Sequence, residues 1–348
     1  MKTVVSFFLV VVSCFCNANA QDVNFSQFYA SSVYLNPALA GLEKDLYLGV
    51  NYRNDQRDFH TTTQSTQANV ILPLYNKKTT FKNHLGSIGL SLLNQSTGST
   101  SKFTSTAVLI STSSKLLLNK TATHQLAFGM QGGILQRQYK IDDFNWGSQY
   151  VPSIGFDQSI APSINFIQAK TTIPLFHTGL FWLYDSNPDD YKTEFSAYLG
   201  IALSNLNRPN ESLFEEGTPV RMPIKWKHHG GINFSIADYQ LILSPNFLLQ
   251  YQDRLSQLDL GCYASVQLRD EVLNMDSPGI LLSLGAWHRI KDAYIISAGL
   301  QWDNFTFGVS YDANISSLKY YSNGNTFEFS LSYKLRKGKP IKFSTPFL

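Results

Sequence analysis

Catalysis and metal binding both need side chains that converge, so the titratable residues come first. Seven histidines are scattered along the 348 residues. His228 and His229 are adjacent, so on a strand they point to opposite faces and cannot share one ion. His177 stands alone in a run of strand character, where a lone histidine is most often structural. Asp142, Asp143, Asp157, Asp189 and Asp190 fall in or near irregular stretches and read as solvated loop charge, with weak calcium binding a distant second. Cys262 sits among apolar residues at strand parity and reads as a small hydrophobe. Neither a G-x-S-x-G elbow, nor a phosphate-binding G-x-x-x-x-G-K-[ST] loop, nor an H-E-x-x-H helix occurs. The residues therefore point to no enzyme, no metal and no cofactor. A hydrolytic barrel is a minor alternative.

What these residues do have in common is the pattern that positions them. Alternation of period 2 recurs from about residue 45 to 335. Leu46, Leu48, Val50 and Tyr52 share one face of the first run. Leu126, Phe128, Met130 and Ile134 oppose Gln125, Ala127, Gly129, Gln131 and Gly133 in the fifth. The tenth, 257–269, alternates most cleanly, with Leu258, Leu260, Cys262, Ala264, Val266 and Leu268 on one face. The count reaches about 14, with a weak further strand at 163–169. Arg53, Asp259, Arg269 and Glu328 all fall on the polar faces and are placed to pair with one another. Small and polar residues on that face suit a filled or wet lumen.

Composition agrees. Only 15% of residues are charged against about 25% in ordinary soluble domains, with 18 Tyr and 24 Phe. Mean hydropathy is −0.13, and no run after the leader is long and apolar enough for a spanning helix. Apolar outward residues alternating with polar inward ones reconcile these facts. A soluble sandwich or propeller is the alternative, but no blade-length repeat appears, and lipid accounts for the apolar face of every run. The predicted fold is all-β: a transmembrane antiparallel β-barrel of about 14 strands, with an N-terminal extended segment and a short basic C-terminal tail.

The chain divides into a signal peptide at 1–20, an N-terminal segment at 21–44, a barrel at 45–335 and a tail at 336–348. Lys2 is the positive start of the leader, residues 4–12 its apolar core, and Ala18-Asn19-Ala20 its cleavage site. A cut before Cys14 would make a lipoprotein, but Val12-Ser13-Cys14 is a poor lipobox. Cys14 and Cys16 leave with the leader, so Cys262 has no internal partner. The formal net charge of +3 falls by one when Lys2 leaves, which gives no reason to expect nucleic acid. With the N-terminus in the periplasm, strand parity puts the long inserts 137–174 and 205–224 outside. It puts the tight turns at Asp238 and Asp303 inside.

The stretch 21–42 is neither a good helix nor a good strand. Phe25, Phe28, Tyr29 and Tyr34 are mixed with amides, and Asn36-Pro37 signals a turn. Beginning in the periplasm, it has two places to go: into the lumen as a plug, or along the periplasmic rim.

Three blocks resemble the PorP/SprF family of the Bacteroidetes type IX secretion system. The first is Gln21-Asp22 with Phe25-Ser26-Gln27-Phe28, then Tyr34-Leu35-Asn36-Pro37-Ala38 and Ala40-Gly41. The second is Leu199-Gly200-Ile201-Ala202-Leu203-Ser204-Asn205-Leu206 with Pro209. The third is Gly308-Val309-Ser310-Tyr311-Asp312 and Ile315-Ser316-Ser317-Leu318, then Gly324 and Glu328-Phe329-Ser330-Leu331-Ser332-Tyr333. The family's Y-R-x-Q-W becomes Tyr52-Arg53-Asn54-Asp55-Gln56-Arg57, one residue longer and without Trp, and a basic tail follows the last strand. The resemblance implies a non-enzymatic Gram-negative outer-membrane protein that docks or anchors secretion components or a large secreted, gliding-type adhesin. The alternative is a diffusion channel for small solutes. Candidate plug or partner residues are Phe25, Ser26, Gln27, Phe28, Tyr34, Asn36, Pro37, Gly41, Arg53, Tyr311 and Asp312.

Overall fold

The computed structural model describes residues 24–58, 61–75, 84–98, 103–140, 145, 147–161, 170–188, 194–212, 219–236, 241–269, 279–316 and 324–335. The leader, the tail 336–348, the weak strand at 163–169, Asp142-Asp143 and Asp189-Asp190 lie outside these residues, as does the side chain of Arg269.

The alternating runs form β1 (Leu46–Asp58), β2 (Thr61–Tyr75), β3 (His84–Thr97), β4 (Phe103–Leu117) and β5 (His124–Tyr139). A two-residue ribbon follows, β6 (Tyr150–Val151) and β7 (Gly155–Phe156). The next strands are β8 (Lys170–Asp185), β9 (Phe195–Ser204), β10 (Lys225–Ile236), β11 (Leu241–Gln252) and β12 (Leu255–Arg269). The last are β13 (Ile280–Arg289), β14 (Ala293–Trp302), β15 (Phe305–Asn314) and β16 (Thr326–Leu335).

Apart from the ribbon, these 14 strands pair antiparallel with their neighbours and close where β1 meets β16. Closure leaves no unpaired edge, which a sheet in lipid requires. Strands of 10 to 16 residues are long enough to cross a bilayer, which takes roughly 9–11.

The period-2 pattern sorts the side chains as a membrane barrel needs. Outward Ile110, Leu284 and Ile296 are 62%, 57% and 66% exposed, whereas inward Ser65, Gln67, Asn69, Ser111 and Gln131 are buried. A water-soluble sheet would reverse this arrangement. Among the described residues no helix is long and apolar enough to cross a membrane.

The two ends of the barrel differ. The connections at 140–169, 205–224 and 315–325 all leave from one end, here the long-loop end. Both the approach to β1 and the exit from β16 lie at the other end, where the longest connections are 76–83, 186–194 and 270–279.

Residues 24–42 run through the lumen, and inward side chains of the wall, with Met222 from the 205–224 loop, pack other parts of it. With every strand edge already used in closure, the segment satisfies its own backbone through short turns. A single helical turn, α1 (Ser32–Leu35), runs into a 3-10 turn at Pro37–Leu42. The amides of Tyr34 and Leu35 donate to the Ser31 carbonyl, and that of Asn36 to Ser32. Phe28, Tyr29, Leu35 and Leu39 pack on Ala127, Phe181, Tyr198 and Leu248 of the wall, each burial contributing about 1.5–3 kcal/mol for the large aliphatic and aromatic side chains.

Candidate functional site

The plug is held at two places. Near the long-loop end, Ser26 and Gln27 meet a buried charge network. The Glu328 carboxylate accepts the Ser26 amide at 2.6 Å and the Gln27 amide at 2.9 Å. It also pairs with the Arg53 guanidinium. Ser26 Oγ donates to Asp312 at 2.5 Å and accepts from Arg53 at 3.0 Å and Arg289 at 2.9 Å. Arg289 in turn binds Asp312 at 3.1 Å and Asp259 at 3.3 Å. Arg53, Arg289, Asp259, Asp312 and Glu328 are all 4% exposed or less. Each ion keeps a counter-ion because an unpaired charge here would cost several kcal/mol.

Strand parity explains why the last hairpin carries its motif. Gly308, Ser310 and Asp312 point inward, as do Glu328 and Ser330. A Cβ at Gly308 would lie 2.3 Å from both Gln27 Oε1 and Ser330 Oγ, so glycine here lets the two side-chain tips meet where they do. Ser330 Oγ donates to Gln27 Oε1 at 2.8 Å. Tyr311, between them, faces outward and packs on Phe327 with ring centroids 5.0 Å apart. It does not reach the plug.

The second hold is the Asn36-Pro37 corner. Asn36 is fully buried. Its Oδ1 caps the 3-10 turn by accepting the Ala38 amide at 3.0 Å. Its Nδ2 donates to the carbonyl of Leu180 at 3.1 Å and lies 3.1 Å from His229 Nε2. For that nitrogen to accept, the imidazole proton must sit on Nδ1. The wall is recessed to fit: Gly129 and Gly179 are register partners on β5 and β8. A Cβ at Gly129 would come within 2.3 Å of the Ala38 nitrogen, and one at Gly179 within 1.9 Å of Asn36 Oδ1. Gly41 passes close over Ser113 and Ala127. Replacing Asn36 by Ala removes the cap and leaves wall acceptors unpaired, a loss of about 1–3 kcal/mol. Amide exchange at Ala38 is then expected to speed up by about tenfold to a hundredfold, measurable by hydrogen–deuterium exchange.

On either side of the first hold, Phe25 and Phe28 are 4% and 5% exposed. Phe25 meets Tyr34 edge-on at 6.0 Å. Lys227 lies 4.2 Å from the centre of the Tyr34 ring and donates to the Tyr34 carbonyl at 2.6 Å. Tyr29 packs as an aromatic, its ring centre 4.4 Å from that of Phe28 and 5.9 Å from that of Tyr198.

Ten of the eleven candidate residues thus line or form the plug and its holds, and Tyr311 stands apart on the outer wall. Arg289 was not anticipated, although its inward neighbours Leu281, Ser283 and Trp287 give the parity that places it. The expected start of the plug at the periplasmic rim differs from what is seen. Asn24 donates to Gln257 at 2.9 Å and accepts from Lys225 at 3.1 Å, both at the start of strands descending from the long-loop end. The segment therefore runs the length of the lumen, from the long-loop end down to Glu43, which pairs with Lys334 at 3.1 Å. His177 is structural: its Nδ1 accepts the Asn205 amide at 3.1 Å and pins the start of the 205–224 loop. His228 faces outward and His229 inward. Among the described residues no group of acidic, His and Cys side chains could hold a metal ion.

No curated protein matches the sequence. Among solved structures, the barrel is similar to the Ralstonia pickettii toluene transporter TbuX, with TM-score 0.53 and 10% identity over 89% of this chain and 94% of that one. It also matches the monoaromatic hydrocarbon channel CymD, with TM-score 0.47 and 8% identity over 88% and 93% of the two chains. At these identities the likeness concerns the fold. A closed barrel with an apolar outer wall places the protein in the Gram-negative outer membrane. The sequence profile described as "Type IX secretion system membrane protein PorP/SprF" matches residues 17–333, nearly the whole chain. The chain belongs to the PorP/SprF family of type IX secretion system membrane proteins.

Proposed function

We propose that this component of type IX secretion works as a docking or anchoring unit for secreted cargo or for the periplasmic machine, not as a channel and not as an enzyme. The observation that carries this reading is the filled lumen. The crevice left between the plug and β10–β11 has a volume of only about 20 Å³, close to the space of one water. With the lumen closed, the rims are the surfaces left for function. The long-loop end supports a docking role, since Tyr150, Ile154, Phe156 and Val220 are each more than half exposed there. Exposed apolar side chains clustered on loops mark interaction surfaces.

Two measurements test the proposal. Deleting the gene and comparing the surface proteome should remove one or a few large cell-surface proteins, or type IX cargo as a class. Unchanged secretion of all such cargo would sink the idea. Reconstituted in planar bilayers, the purified protein should show no stable current. A large steady conductance would favour the alternative, a diffusion channel for small solutes.

A further inference from the structure

On the outer wall at the long-loop end lies a cavity of about 490 Å³ that plays no part in holding the plug. We propose that it binds the phosphosugar headgroup of an outer-leaflet glycolipid. The proposal rests on the long-loop end lying at the cell surface.

The floor of the cavity is aromatic. Trp226 and His228 point outward from β10, with rings 6.2 Å apart and nearly parallel at 8°. Tyr251, the register partner of Trp226 on β11, meets His228 edge-on at 6.4 Å. Trp226 is 45% exposed, a large ring face left open. Such faces receive the C–H side of a sugar ring as well as apolar chains.

The rim carries the charge. Arg208 and Asp253 both line the cavity, and neither has an ion-pair partner among the described residues. Arg208 is presented from a fixed turn. Its amide donates to the Asn205 carbonyl at 2.9 Å, and Asn205, only 3% exposed, is itself tied to His177 and to the Pro223 carbonyl. A guanidinium offers the donor fork that matches a phosphate. A carboxylate accepts from sugar hydroxyls. Cation, carboxylate and aromatic face together match a phosphorylated sugar better than a plain phosphate ester.

The surroundings select a lipid over a soluble sugar phosphate. Beside the cavity at the level of His228 stands outward Ile201, and further down the wall Leu199 and Ile232; all three are more than a third exposed and form part of the acyl-facing wall. A headgroup in the cavity would therefore lay its chains on an apolar surface already shaped for them. Aromatic side chains at strand ends mark this same headgroup level.

The test uses the purified full chain in detergent micelles, read by native mass spectrometry. The probes are bisphosphorylated lipid A, dephosphorylated lipid A and phosphatidylglycerol. Expected is one bisphosphorylated lipid A per protein, with occupancy falling about tenfold on removal of the phosphates, in Arg208→Ala or in Trp226→Ala. Both variants lie outside the lumen, and unchanged heat-modifiable gel migration will confirm that they fold. Equal binding by wild type and both variants would overturn the proposal, and so would phosphatidylglycerol binding as tightly as lipid A. Neither result bears on the docking role, which the surface proteome reports separately.

Discussion

Replacing Glu328 by Ala should release the upper end of the plug from an otherwise intact barrel. The Glu328 carboxylate accepts two plug amides and the Arg53 guanidinium in one buried position. Its loss leaves Arg53 with Asp312 at 3.4 Å and the half-buried Asp55, and leaves two amide donors with no acceptor. Breaking a buried pair from one side costs about 3–5 kcal/mol. Because β16 pairs with β1 through ten register positions, the strands themselves stay zipped. The expected readout is amide exchange at Ser26 and Gln27 faster by roughly a hundredfold to a thousandfold. Exchange in β10 and β11 should be unchanged. Glu328→Gln keeps one acceptor oxygen and should show a smaller effect. Protection at Ser26 and Gln27 as in the wild type would show that the network does not hold the plug.

The second large effect is expected at the opposite hold. Gly129→Val places branched carbons where the Pro37–Ala38 backbone lies, with the first of them 2.3 Å from the Ala38 nitrogen. A backbone packed on all sides cannot step aside as a flexible side chain can. The cost should therefore reach the top of the range for overpacking, about 3 kcal/mol. The corner at Asn36-Pro37 should lift off the wall while Ser26 and Gln27 stay bound. Exchange protection will then fall at Ala38 and Leu39 but not at Gln27. Combined with Glu328→Ala, the variant should conduct in planar bilayers, because both holds are gone. A double variant as closed as the wild type would mean that other contacts suffice to keep the lumen shut.

Much of this was legible beforehand, and the reasons are physical. Alternation has a period of 2 wherever one face meets lipid and the other a polar lumen, so β10 at 225–236 and its neighbours stand out by side-chain type alone. The same parity marked Arg53, Asp259 and Glu328 as inward. It did not show who pairs with whom. Arg53 and Glu328 are 275 residues apart and become neighbours only because the first and last strands close on each other. Arg289 escaped because it is the final residue of its strand, where the pattern gives least warning. The inward glycines of β5 were visible as small residues. That Gly129 is a seat for a particular peptide bond depends on a segment about 90 residues away. Tyr311 shows the converse error: a motif is contiguous in sequence, yet on a strand its neighbours face opposite solvents.

The ion pair at the closing seam has a further consequence, for registry. Arg53 and Glu328 are direct partners across β1 and β16. A slip of two residues would keep every side chain on its proper face, so alternation alone does not forbid it. Such a slip changes the shear of the barrel, and with it the diameter and tilt that all 14 strands share. It would also carry Glu328 away from Arg53 and from the two plug amides at once. The plug therefore acts as a gauge as well as a stopper: only one alignment of the first and last strands fits it.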